Sequence, residues 1–390
     1  MRKIACPYVL NENGVLQESL VVSFDENGVV LAVEPVDRST LDATPSLEYY
    51  DGILIPGMTN AHCHLELSYL KGQIAEGSML DGFVRSITQI RGQWTVDEQV
   101  QAAKLNDHFM WSEGVQAVGD ISNGTASFPA KVDSRIKYYT FAEYFNMPPD
   151  DQAEAYFAEK TANVAPAREL GLAISPSPHS TYMVSDKLFK MSAGSERLSI
   201  HFMETATEME LFDKAGGMYR LMVDEWGMKP DFLYYGSHPA RLVGSLPSDV
   251  PLLLIHNTQC KRADIEQVIA HFTNVTFVLC PRSNYYIERA FPPAELMYQV
   301  GVRVALGTDS LTSNHSLSMV EEIKWLSQNN PHIPLSAILS WATAGGARAL
   351  GFEQELGSFT VGKRAGAVLL ENIDFNTLKT TNQTTSRRLI

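Results

Sequence analysis

A chain of 390 residues, 45% hydrophobic and 19% charged, is globular and long enough to bury a large core, which excludes intrinsic disorder. A formal charge of −14 and the lack of any Lys/Arg run exclude a nucleic-acid or anionic-membrane surface, since both need a basic stripe, and point to a small-molecule substrate. The four cysteines form no CxxC pair, no apolar run reaches the ~20 residues of a membrane span, and the first apolar run is too short for a secretory signal, so a cytoplasmic enzyme with reduced thiols is expected.

The first elements are strand-like. GVLQESLVVSFDENGVVLAVEPV contains two apolar runs joined by Asp25–Glu26–Asn27–Gly28, a hairpin signal of the Asn-Gly type. Eight short apolar runs follow: ILIPGM (53–58), VQAVGDI (115–121), KYYTFAEYF (137–145), LGLAIS (170–175), LSIHF (198–202), PLLLIH (251–256), VTFVLC (275–280) and VRVALG (302–307). Segments with apolar residues at helical spacing, such as RADIEQVIAHF, separate several of them. Eight strand–helix alternations over ~250 residues predict a (β/α)8 barrel. The tail FTVGKRAGAVLLENID reads as another strand pair. The predicted organisation is an α/β chain in which residues 1–55 and 355–390 combine into a small β-sandwich beside a barrel at 56–354.

A barrel places its active site where the strands end. His62 and His64 close the first run in TNAHCHLEL, and a period of two points both to one side of a strand, which suits chelation. His179 follows the fourth run, His201 lies in the fifth, His256 ends the sixth and Asp309 follows the eighth. His108, His238, His271, His315 and His332 fall in helix-like or connecting segments and read as structural or exposed.

This order of residues resembles the amidohydrolase superfamily along essentially the whole chain. The resemblance implies a metal centre built from His62, His64, His201 and Asp309, with His256 orienting a water beside it. The fourth strand, LAISPSPHS, has no lysine to bridge a second ion, so one divalent ion is expected: Zn2+, with Fe2+ or Mn2+ suited to the same nitrogen and oxygen donors. HFMETATEMEL is similar to the deaminase and chlorohydrolase branch, which implies that Glu204 shuttles protons; Glu208 reads as exposed or as a supporting partner.

Substrate contacts are expected from PHSTYMVS, namely His179, Ser180 and Tyr182, a segment similar to that of deaminases of adenine-bearing nucleosides. HLELS, CPRSN and GTDSLTSNHSLSMVEEI resemble 6-amino-6-deoxyfutalosine deaminases, and this adds Glu66 and Asn314 to the pocket. Leu67 and Ser310 depart from that pattern, where an aromatic residue and a glycine are common. The plain alternatives are a capping or ion-pair role for Glu66, a helix N-cap for Ser313–Asn314, turn roles for Ser283 and Asn284, and a structural Glu143.

The resulting expectation is a metal-dependent hydrolytic deaminase of an aminopurine nucleoside-type substrate, in which Glu204, His256 and Asp309 act on the reacting atoms. A homodimer, common in the family, is compatible with it. Hydrolysis of another cyclic amide, amidine or C–Cl bond, or an inactive scaffold, are the rivals. A cytidine-type zinc deaminase is excluded because no PCxxC follows His64–Leu65–Glu66.

Overall fold

The computed structural model describes residues 1–37, 46–213 and 216–390. Both termini meet in two stacked sheets. One has the order β5-β4-β1-β6, from β1 (Arg2–Ala5), β4 (Leu20–Phe24), β5 (Val30–Pro35) and β6 (Leu47–Tyr49). The other runs β17-β16-β7-β2-β3, from β2 (Tyr8–Leu10), β3 (Leu16–Glu18), β7 (Ile53–Ile55), β16 (Val368–Asp374) and β17 (Lys379–Arg388). The hairpin at Asp25–Gly28 is present: β4 and β5 pair antiparallel, and Asp25 Oδ1 accepts the N–H groups of Asn27 and Val29, both at 2.8 Å. Ile4, Val22, Phe24, Leu54, Phe359 and Leu369 fill the space between the sheets.

Eight parallel strands form the barrel: β8 (Met58–Cys63), β9 (Val115–Ser122), β10 (Lys137–Tyr144), β11 (Ala173–Pro178), β12 (Leu198–Phe202), β13 (Leu252–His256), β14 (Val275–Leu279) and β15 (Val304–Leu306). They pair as two four-stranded arcs, β8 to β11 and β12 to β15. Each seam between the arcs is closed partly by side chains. At the first, β11 carries Pro176 and Pro178, which have no N–H to give; Ser177 Oγ donates to Ser199 O at 2.6 Å and accepts from Ser199 N at 2.9 Å. At the second, Asn60 Nδ2 donates to Thr308 Oγ1 at 2.7 Å and Asn60 Oδ1 accepts Thr308 N at 3.1 Å.

One strand differs from the sequence expectation. ILIPGM does not open the barrel: Ile53–Ile55 pairs with β16 and β2 in the terminal sheet, and Pro56–Gly57 separates it from the true first strand, MTNAHC. That strand is wholly buried yet carries Thr59, Asn60 and His62, so apolar patterning passes over it. In the tail, only VLLENID of the expected hairpin is a strand, and its partner is the polar KTTNQTTSRR. Among the described residues no helix is long and apolar enough to cross a membrane.

Candidate metal centre and active-site cleft

The C-terminal ends of the strands gather the predicted donors. Ligand atoms of His62, His64 and His201 lie within 4.8 Å of one another, as do those of His62, His256 and Asp309. Asp309 Oδ1 stands 3.5 Å from Nε2 of both His62 and His64. Neither ring nitrogen of His62, and not Nδ1 of His64, has a hydrogen-bond partner, although all three are buried. An unpaired buried imidazole is costly, and a cation among these donors removes that cost. Burial also holds His62 and His201 below the usual histidine range, in the neutral form that ligates. The residues therefore fit one divalent ion, and a mixed nitrogen and oxygen set of four suits zinc.

Local structure aims each group. Asp309 has φ 56°, left-handed for a non-glycine residue, and its N–H joins that of Thr308 on His62 O at 3.1 and 3.0 Å. This close approach requires Gly307, where an added Cβ would fall 2.8 Å from His62 Cβ and O. Ser283 and Ser313 each donate to Asp309 Oδ2 at 2.6 Å, leaving Oδ1 toward the histidines. Burial by itself raises the Asp309 carboxyl, but the imidazoles of His62, His64 and His256 gathered around it hold it well below the carboxylate range. His201 Nδ1 donates to His179 O at 2.8 Å, so its Nε2 lone pair is free.

His256, at φ 72°, is followed by Asn257, whose Nδ2 donates to Leu254 O at 2.7 Å and Val278 O at 3.1 Å. The Asn284 amide donates to His256 Nδ1 at 3.0 Å; the proton of the ring is then on Nε2, which faces Glu204 Oε1 at 3.5 Å. Burial pushes His256 down to about 3. Glu204 is buried, and desolvation with the charges of Asp309, Glu208 and Glu288 pushes its carboxyl well above the usual range. Glu208 is fully buried rather than exposed, and it fixes this segment by accepting Met203 N at 2.9 Å and Glu204 N at 2.8 Å. Burial outweighs those bonds and pushes Glu208 up to about 7.

A cleft of about 430 Å³ opens over these groups. His64, His201, His256, Asp309 and Glu204 form its polar floor; Phe83, Ile87, Met218, Trp226 and Met228 are among its apolar walls. His62 lies beneath, with no exposed surface.

Of the expected substrate contacts, His179 and Tyr182 line the cleft, and Glu66, Ser180 and Asn314 do not. Glu66 accepts the Asn123 and Gly124 N–H groups at 2.8 and 3.1 Å, bracing the loop after β9. Ser180 Oγ accepts Tyr182 N and Met183 N at 3.3 and 3.1 Å, a local turn that consumes its oxygen. Asn314 Nδ2 bridges Thr308 O and Glu322 Oε1, at 2.9 and 2.8 Å, and supports the Asp309 loop. Nor is Ser313–Asn314 a helix cap: that role belongs to Ser318 of the helix Met319–Asn329.

Residues passed over as ordinary turn or structural groups do more. Glu143 lines the cleft, accepts Asn123 Nδ2 at 2.8 Å and pairs with His179 Nδ1 at 2.8 Å. Burial raises Glu143 and lowers His179, yet their mutual charge prevails and shifts each the other way. The signal that could have found Ser283 and Asn284 was CPRSN directly after a barrel strand.

A family model described as the amidohydrolase family matches residues 53–387, and the chain belongs to that family. It is a hydrolase acting on non-peptide carbon–nitrogen bonds. The 5-methylthioadenosine/S-adenosylhomocysteine deaminase of Haloarcula marismortui is 25% identical over 93% of this chain and 82% of that protein. The crystal structure of Helicobacter pylori aminofutalosine deaminase in complex with methylthio-coformycin superposes with TM-score 0.78 at 22% identity, covering 95% of this chain and 92% of that one. Atrazine chlorohydrolase from Arthrobacter aurescens, complexed with zinc, gives TM-score 0.70 at 16% identity over 97% and 90% of the two chains.

Proposed function

We propose that the protein is a hydrolytic deaminase of an aminopurine nucleoside-type substrate, with His62, His64, His201 and Asp309 holding one Zn2+. The observation that carries the reading is Glu204: a buried carboxyl at the cleft floor, 3.5 Å from His256 Nε2 and pushed toward its neutral form. When bound, the ion lowers the pKa of a water so that it attacks near neutral pH.

The rest falls to the chain's own side chains. His256 Nε2–H holds and orients the attacking oxygen. Glu204 gives its proton to the ring nitrogen beside the amino-bearing carbon, which makes that carbon electrophilic. The attacking water gives up two protons: Glu204 takes the first and passes it to the amino group, because an amine departs only as ammonia, and takes the second from the remaining hydroxyl as the carbonyl forms, which restores its neutral form. The balance is amine plus water to carbonyl tautomer plus ammonia. Loss of chloride needs no proton on the leaving group, so the full proton relay through Glu204 is required only for the amine. Similarity to a methylthioadenosine/S-adenosylhomocysteine deaminase, and a fold neighbour crystallised with methylthio-coformycin, support the purine class.

The test is ammonia release and the ultraviolet change on incubating the zinc-loaded protein with 6-aminopurine nucleosides, among them 5′-methylthioadenosine, S-adenosylhomocysteine and 6-amino-6-deoxyfutalosine. Turnover of at least one is expected. Silence on all of them, with zinc bound, would overturn the purine assignment.

A further inference from the structure

The metal donors are braced in different ways. His201 Nδ1 donates to His179 O, Asp309 Oδ2 accepts two serine hydroxyls, and His62 O accepts the N–H groups of Thr308 and Asp309. The His64 ring has no comparable brace: among the described residues its Nδ1 has no hydrogen-bond partner, and its Nε2 faces Asp309 Oδ1 at 3.5 Å. Its direction therefore depends on its main chain. After β8 ends at Cys63, the peptide from His64 to Leu65 opens the short helix Leu65–Leu70. The first N–H of a helix has no partner within it, and Leu65 N finds one outside, donating to Asp120 Oδ1 near the end of β9 at 2.7 Å.

Asp120 is itself held. Its Oδ2 meets Lys131 Nζ at 2.5 Å, and the ammonium gives its other two protons to Ser122 Oγ and Thr140 Oγ1, both at 3.0 Å. Neither side chain of the pair has any exposed surface, and the rings of Phe128 and Tyr138 lie 5.3 and 5.8 Å from Nζ. Lys131 comes from the helix Phe128–Val132 that follows β9, so β9, β10 and that helix anchor one carboxylate. A well-packed apolar pair often serves stability as well as a buried ion pair, because each buried charge gives up its water. What an apolar pair cannot offer is an acceptor oxygen with one fixed direction, and here that oxygen faces the peptide beside a metal donor.

We propose that Asp120 and Lys131 are positioning residues for the metal centre. Asp120 Oδ1 fixes the plane of the His64–Leu65 peptide and with it the direction of the His64 imidazole, and Lys131 keeps the carboxylate in that orientation. Neither residue lines the cleft, so they act through His64 alone. The inference rests on the reading of His64 as a zinc ligand. If Asp120 were only a helix cap, zinc affinity would follow stability; as a positioning residue it makes zinc affinity follow the acceptor oxygen.

Two double variants separate these roles, because each removes the ion pair whole and strands no charge. Asp120→Asn/Lys131→Met keeps an acceptor for Leu65 N, and Asp120→Ala/Lys131→Met does not. Zinc affinity is read by chelator competition, ligand geometry by the visible absorption of the Co2+-loaded protein, and stability by thermal unfolding of the metal-free protein. The first variant should bind zinc within about threefold of wild type with an unchanged Co2+ spectrum, and the second about tenfold or more weaker with a shifted spectrum. Equal zinc affinities and identical spectra in the two variants overturn the proposal, and so does an equal loss in both. If the second variant does not fold, a backbone ester at Leu65 in the otherwise wild-type chain deletes the same N–H and no side chain, and it is held to the same criteria. Wild-type protein that binds neither zinc nor Co2+ overturns the metal reading itself, a failure separate from equal affinities in proteins that do bind.

Discussion

His62 has no exposed surface, Asp309 is held by two serine hydroxyls, and His256 and Asp309 both keep left-handed backbones. Across the cleft, the helix Met79–Ile90 has no buried residue at all. The floor grows from strand ends, where barrel closure and buried hydrogen bonds leave each donor one position. The wall is a helix whose apolar stripe packs only from one side. Chemistry that depends on sub-ångström placement sits on the first, and contact with the rest of the substrate suits the second. Substitutions on the floor should therefore strike metal content and kcat, and substitutions on the wall should strike KM.

The largest effect is expected at Gly307. An added methyl 2.8 Å from His62 Cβ and O forces β8 and β15 apart, so Gly307→Ala should lose most bound zinc and unfold at lower temperature, read by metal analysis and calorimetry. Unchanged zinc content in that variant would mean that the seam tolerates separation. Next come the serines. Removing both hydroxyls from Asp309 Oδ2, in Ser283→Ala/Ser313→Ala, should weaken zinc binding by about 10–100-fold in a chelator competition.

A smaller effect concerns the support behind Glu208. His238 is buried, bonds to Thr181 Oγ1 at 2.7 Å and to Glu208 O at 3.2 Å, and burial lowers it from 6.5 to about 4. A depressed histidine binds its proton more readily unfolded than folded. Its contribution is complete above pH 6.5, declines as the pH falls toward 4, and amounts to about 3 kcal/mol at most. His238→Gln should flatten the stability profile in that window, measured by urea denaturation; a slope equal to wild type would place the proton uptake elsewhere. The smallest effect belongs to the wall. Ile87→Ala removes a half-exposed side chain, and a few-fold rise in KM with less than about 1 kcal/mol lost in stability is expected.

These regions were also unequally legible in the sequence. The floor announced itself because His62, His64, His201, His256 and Asp309 fall in order in or just after strand-like segments, a pattern set by the barrel and independent of any single element. The groups that hold them were silent. Asn60, Ser283 and Ser313 are small polar residues whose roles come from partners distant in sequence, which spacing does not encode. Glu66, Ser180 and Asn314 were misread as contacts because they lie in motif-bearing loops, yet each turns to backbone or to a buried carboxylate. The ILIPGM run misled because apolarity reports burial, and the terminal sheet buries Ile53–Ile55 as fully as a barrel would. The helix Met79–Ile90 carries an ordinary amphipathic pattern, and only the cleft gives its apolar stripe a meaning.

The central claim is that Glu204 moves the protons while four other residues hold the ion. Its most direct test is zinc stoichiometry measured beside ammonia release, on the best aminopurine substrate, for wild type and Glu204→Gln. The account predicts one zinc per chain in both proteins and a kcat at least about 10³-fold lower in the variant. Turnover near the wild-type rate in Glu204→Gln, with zinc in place, would contradict it.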